Sequence, residues 1–138
     1  MDEARNHGRK IMKDLENALG RSYICWSVAD HDRELLDRAK KDQLTHSERI
    51  LKKSIPKWEA RAIKADEDAE RILDQVDLLP KNESKVLRLV YLDGLKLKEA
   101  ASIMGYSECY VGELHLKALD LIGAKFSPRI VESQGVAH

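Results

Sequence analysis

Between Trp58 and Leu79 the apolar residues Trp58, Ala62, Ala65, Ala69, Ile72, Val76 and Leu79 recur at alternating intervals of four and three. An α-helix turns once in about 3.6 residues, so this spacing gathers all of them into one stripe on a single long helix. A strand, whose side chains alternate, would scatter them over both faces. The stripe extends over three heptads, the pattern of a helix packed lengthwise on another. Alanine at three successive positions allows close approach but buries little area, so the contact needs support from elsewhere. Two partners satisfy the pattern: an earlier helix of the same chain, in a hairpin, or a second copy, in a homodimer.

The preceding residues suit an all-α fold. Charged residues make up 35% of the 138 and aromatic residues 5%, with seven glycines and three prolines, a balance that favours long solvated helices. Ala4, Ile11, Leu15 and Ala18 predict a first helix over residues 2–19, closed by Gly20. Tyr23-Ile24-Cys25-Trp26 is the most apolar run of the N-terminal half and reads as a connector packed on the core. Ser27 and Asp30 are N-cap candidates for a helix towards Lys41 that buries Leu35, Leu36 and Ala39. Thr45 and Glu48 form a T-x-x-E capping box that restarts a helix before Ile55, and Pro56 ends that segment or opens the next. Residues 1–79 are thus expected to form a helical hairpin or dimerisation region.

Net charge is zero, which by itself argues mildly against nucleic-acid binding, but the charges are segregated. Arg38, Lys40, Lys41, Arg49, Lys52, Lys53, Lys57, Arg61 and Lys64 face only Asp42, Glu48 and Glu59 within residues 38–64. The next stretch inverts the sign, with Asp66, Glu67, Asp68, Glu70, Asp74 and Asp77 against Arg71. Such blocks attract each other across a hairpin.

After Leu79-Pro80 the texture changes. Val86, Leu87, Val90 and Tyr91 share one side of a helix that closes at Asp93-Gly94. Lys98 to Met104 predicts a second short helix, Gly105-Tyr106-Ser107 a turn, and Glu108 to about Ile122 a third helix with Ser107 as its N-cap. A helix-turn-helix needs a small residue where its two helices meet, a glycine in the tight turn and branched anchors on the second helix. Ala101, Gly105, Val111 and Leu114 meet those demands at offsets of four, six and three. The reading is a helix-turn-helix domain over residues 80–126 followed by a flexible tail, 127–138.

These residues also carry a resemblance. Leu79-Pro80, Val86-Leu87, Tyr91-Leu92-Asp93-Gly94-Leu95, Lys98-Glu99-Ala100-Ala101 and Ile103-Met104-Gly105-Tyr106-Ser107-Glu108 resemble region four of sigma-70 family factors, over about a third of the chain. The continuation Val111, Leu114-His115, Ala118-Leu119 is similar to small sigma-like regulators of bacteriophages and prophages, which place a helical, often coiled part before this domain. The resemblance implies a phage-type transcriptional regulator that binds double-stranded DNA through the third helix. It also implies RNA polymerase as a partner, because region four of sigma factors binds the flap of the β subunit. Nothing upstream resembles the region of a complete sigma factor that melts the promoter.

On this reading Ser107, Glu108, Cys109, Tyr110, Gly112, Glu113, His115 and Leu116 belong to the DNA-facing helix. Lys96, Lys98 and Lys117, with Lys125 and Arg129, reach phosphates. Arg49, Lys52, Lys53, Lys57 and Arg61 either add phosphate contacts or form a solvated helix face. Two departures stand out. Lys96 occupies the N-cap position where the family has Ser or Thr, and Glu108 and Glu113 put acid where relatives carry base. Glutamate can accept a hydrogen bond from cytosine N4, so base reading survives, against repulsion from phosphates. Residues 80–129 hold eight basic and six acidic groups, a small surplus for that task.

No phosphate loop, HExxH, GxSxG or EF-hand pattern occurs, so neither an enzyme nor a cofactor is expected. Asp66, Glu67, Glu70 and Asp74 share a helix face that could in principle hold Mg²⁺, but no second acidic motif answers it, so no metal is expected. Cys25 and Cys109 lack metal-site or disulfide spacing. Without an apolar span or the basic and apolar regions of a signal peptide, no membrane role is expected, and the chain reads as cytoplasmic.

Overall fold

The computed structural model describes residues 2–125, and among them all regular structure is helical. The helices are α1 (Asp2–Lys41), α2 (Thr45–Asp77), α3 (Lys81–Leu87), α4 (Leu97–Met104) and α5 (Glu108–Lys125), and a π-helical turn, Arg88–Leu92, prolongs α3. The expected tail lies outside the described residues, as does Arg129. The helices build two compact units, residues 17–69 and residues 2–16 with 70–125. The bounds of these units lie at residues 16/17 and 69/70.

In the unit of residues 17–69, α1 and α2 form an antiparallel hairpin. Ser22 and Trp26 both bond to Asp66, Arg33 to Glu59, and Ser54 to Asp32 at 3.1 Å. The Ser22 hydroxyl and the Trp26 indole N–H together hold the Asp66 carboxyl below the usual carboxylate range. Ala62, Ala65 and Ala69 of the α2 stripe are buried within the single chain, with Trp58 half-buried. This part of the stripe is thus buried inside the hairpin.

Four sequence expectations give way here. Gly20 does not end α1, and Tyr23 to Trp26 is not a connector, because the buried positions Ile11, Leu15, Ala18, Cys25 and Ala29 continue one heptad stripe through both. Tyr23 lies 75% exposed on the outer face rather than in the core. A helical glycine costs about 1 kcal/mol, less than the stripe returns in packing. Pro56 neither ends nor opens a helix, but sits exposed inside α2. Glu48 does not turn back to Thr45; its carboxylate meets Lys52 at 2.9 Å and its N–H donates to Leu44.

The turn between the long helices is a Schellman motif. Leu44 N–H donates to Ala39 at 2.8 Å, Gln43 N–H donates to Lys40 at 3.3 Å, and Gln43 takes φ of 60°. The chain uses a glutamine where glycine is the ordinary solution.

The other unit holds the largest fully buried side chains, Met12, Leu15, Val76, Val86, Leu87, Val111, Leu119 and Ile122. The first turns of α1 are part of it. Arg5 pairs with Asp120 of α5 through two hydrogen bonds of 3.1 Å. A Cβ on Gly8 would stand 2.1 Å from the Leu119 carbonyl oxygen, and one on Gly123 1.8 Å from that of Ala4. The two glycines let the backbones of α1 and α5 touch. Asp77, at the end of α2, bonds to Arg88 and ties the helix end to the π turn.

Candidate nucleic-acid interface

The helix-turn-helix is built by α4 and α5. Asp93 N–H donates to Arg88, one residue further back than an α-helix allows, and Leu95 N–H donates to Leu89 at 3.0 Å. This widened turn buries Leu89, leaves Val90 and Tyr91 half-buried, and ends at Gly94 with φ of 69°. Lys96 then caps α4. A lysine side chain has no acceptor to offer, but Glu99 accepts the Lys96 N–H at 3.0 Å and supplies one half of a capping box. The poor N-cap is therefore offset from within the helix.

At the other end of α4, Gly105 takes φ of 77° and both its N–H and that of Tyr106 reach the Ala101 carbonyl. Ala101, Val111 and Leu114 are all buried, so the small residue and the anchors stand where a helix-turn-helix requires them. Ser107 Oγ accepts the Tyr110 N–H at 3.2 Å, the N-cap of α5.

The sequence-nominated residues divide into an outward set and an engaged set. Glu108, Cys109, Tyr110 and Glu113 are exposed along α5, and Gly112 and Leu116 are half-exposed. Lys96, Lys98 and Lys125 are exposed as well. His115 is turned towards the π turn, where Nε2 lies 3.0 Å from the Tyr91 hydroxyl and the rings stack at 5.7 Å. Burial, with the Arg9 guanidinium second, pushes its pKa below the ordinary histidine value. Lys117 reaches the buried carboxylate of Glu83 at 3.7 Å. A phosphate would have to compete for it.

In the hairpin unit, Lys52 is paired with Glu48, and Arg61 lies 4.9 Å over the Trp58 ring. Arg49, Lys53 and Lys57 are exposed and carry no ion pair among the described residues. Sequence reasoning missed two features. Tyr106 packs edge-on against Tyr110 at 5.0 Å, and Ile103 beside it is exposed, so the turn presents an apolar ledge next to the start of α5. Glu83 was the other, hidden because a carboxylate near a helix start reads as solvated until its burial is seen. Among the described residues no group of His, Cys, Asp and Glu is gathered as a metal site, and Asp66 of the acidic set is taken by Ser22 and Trp26.

A capped second helix, a glycine turn and a small residue at the crossing define a helix-turn-helix protein. Comparison sharpens the class: residues 69–108 match the family model for sigma-70, region 4. The chain carries a sigma-70 region 4-like helix-turn-helix, a transcription-related module, in an all-α fold. It is 31% identical over 58 residues to the RNA polymerase sigma factor FliA of Yersinia enterocolitica, covering 42% of this chain and 25% of that protein. To FliA of Salmonella typhimurium it is 34% identical over 56 residues, covering 41% and 23%. The match spans about a quarter of the length of these relatives. No solved structure matches significantly. The family match ends at Glu108, so almost all of α5 is read from its geometry.

Proposed function

We infer that the chain is a transcriptional regulator that binds duplex DNA by placing the start of α5 in the major groove. The observation that carries this reading is the free outward face of α5, held in position by Ala101, Gly105, Val111 and Leu114 and capped by Ser107. Ser107 and Glu108 offer hydrogen bonds to base edges, Glu113 an acceptor for cytosine N4, and Tyr110 an apolar edge for a thymine methyl. Lys96, Lys98 and Lys125 stand free for phosphates. Arg49, Lys53 and Lys57, with Lys52 and Arg61, are candidates for further phosphate contacts. A phage or prophage source and action in the bacterial cytoplasm fit the resemblance of the α5 sequence.

A second reading is favoured by one observation: Glu108 and Glu113 are exposed on that face and none of its residues is basic. In this reading the module binds RNA polymerase and modulates transcription with little base reading of its own. Selection of duplexes from a random library, alongside a pull-down with core RNA polymerase, separates the two. Recovery of a consensus site supports DNA reading, whereas polymerase capture with no enriched site replaces it with the second. Substituting Lys52, Lys53 and Lys57 by Ala is expected to reduce the salt slope of duplex affinity; an unchanged slope removes the hairpin from the interface.

A further inference from the structure

From Glu108 to Leu116, α5 holds no Arg, Lys, Asn or Gln, and the first lysine of the helix, Lys117, reaches Glu83 at 3.7 Å. Arg and Lys are the side chains that read guanine in the major groove, through O6 and N7, and Asn and Gln those that read adenine, through N6 and N7. Both purine readers are therefore missing. What remains matches pyrimidines. An ionised carboxylate only accepts hydrogen bonds, which suits the N4 amino group of cytosine and repels the N7 acceptor that both purines present. An aromatic edge suits the 5-methyl group of thymine, the apolar feature of the groove. Ser107 serves either kind of partner and selects nothing.

The structure places one reader of each kind side by side. Glu113 is exposed, opposite the buried Val111, Leu114 and Ala118, and Tyr110 stands three residues before it. That offset spans about 4.5 Å of helix, close to the ~3.4 Å between neighbouring bases of a strand. Tyr110 is also held in place. Tyr106 packs edge-on against it at 5.0 Å, the Asn82 amide nitrogen lies 3.5 Å from the Tyr106 hydroxyl, and the Tyr110 N–H donates to Ser107. The two rings remain 42% and 43% exposed, and a preorganised apolar edge loses little freedom on meeting a methyl group. We propose that this face recognises neighbouring pyrimidines of one strand, thymine through its methyl against Tyr110 and Tyr106, and cytosine through N4 donating to Glu113. The proposal rests on the reading of α5 as the helix that enters the major groove. The lack of basic residues on the face, which weakens general attraction to phosphates, is on this account the source of its selectivity.

The test selects duplexes from a random library with the full chain and measures binding to the recovered site by fluorescence anisotropy. Replacing a contacted thymine by deoxyuridine removes only the methyl, and is expected to weaken binding about fourfold, the share of one buried carbon. Tyr110→Ser is expected to bind the thymine and deoxyuridine duplexes alike. Selection repeated with Glu113→Gln is expected to move one position from cytosine to adenine, whose N6 and N7 a carboxamide meets together, with at least about a tenfold reversal of preference. Both substitutions fall at exposed positions, and melting curves like that of the unaltered chain check that the fold is kept. The deoxyuridine comparison on the unaltered chain decides even where a variant loses its fold. An enriched site that is indifferent to deoxyuridine at every thymine, or in which Glu113→Gln moves no cytosine, overturns the proposal and leaves DNA reading by α5 in place. Enrichment of no site at all overturns both.

Discussion

Gly8 and Gly123 lie inside helices, where alanine is ordinarily better by about 1 kcal/mol. Their surroundings reverse that sign, since the nearest atoms to an added Cβ are backbone and cannot rotate away. Gly123→Ala is therefore expected to lower stability by about 1–3 kcal/mol or more, read by urea denaturation. Gly20, with nothing within 4 Å of an added Cβ, is the control: Gly20→Ala should raise stability by up to about 1 kcal/mol. Equal effects at the two positions would sink the account of the α1–α5 contact. His115 gives a residue-scale dependence on pH. Its folded pKa lies below the unfolded value of about 6.5, so the unfolded chain binds the proton more readily. The neutral ring's contribution is complete above about pH 6.5 and is lost as pH falls through the folded pKa. Tyr91 faces the ring, and Arg9 and Glu16 supply the nearby charges. His115→Gln should flatten the melting temperature against pH across that window; an unchanged profile would place the titration elsewhere.

Among the elements, α2 shows how far packing overrides local preference. A proline inside a helix removes one backbone hydrogen bond and crowds the preceding turn, at a cost of about 3 kcal/mol. Pro56 survives because the residues on either side belong to a stripe buried from Ile55 to Val76. Pro56→Ala is expected to raise the melting temperature, with a gain of about 1–3 kcal/mol, because the exposed ring leaves no cavity when removed. A fall on substitution would mean that the proline shapes the helix in a way the hairpin needs. The helix-turn-helix elements were the most legible, since α4 and α5 begin within one residue of their expected starts. Capping and turn residues act locally, so their signal is written in adjacent positions. The π turn was not legible, because it depends on what Leu89 packs against rather than on its neighbours in sequence.

For the whole molecule, the consequence is that the helix-turn-helix does not stand alone from residue 80. Arg5, Gly8, Ile11, Met12 and Leu15 belong to the same compact unit as α3, α4 and α5. A fragment starting at residue 80 is therefore expected to lose cooperative unfolding, measured by the thermal transition in circular dichroism. A sharp transition in that fragment like that of the full chain would refute the assignment of residues 2–16 to the unit.

Periodicity determined the all-α class and the long α2 stripe, because a helix turns the same way wherever it stands, but it left the partner of that stripe open between α1 and a second copy. Turn chemistry likewise determined the helix-turn-helix, from Ala101, Gly105, Ser107, Val111 and Leu114. Only the tertiary structure decided that α1 runs unbroken through Gly20, that α2 runs through Pro56, that Lys117 and His115 are engaged with Glu83 and Tyr91, and that the first turns of α1 complete the helix-turn-helix unit. Each of these turns on contacts between residues far apart in sequence, whose packing outweighs the local costs of a glycine or a proline and whose geometry no short window of residues contains.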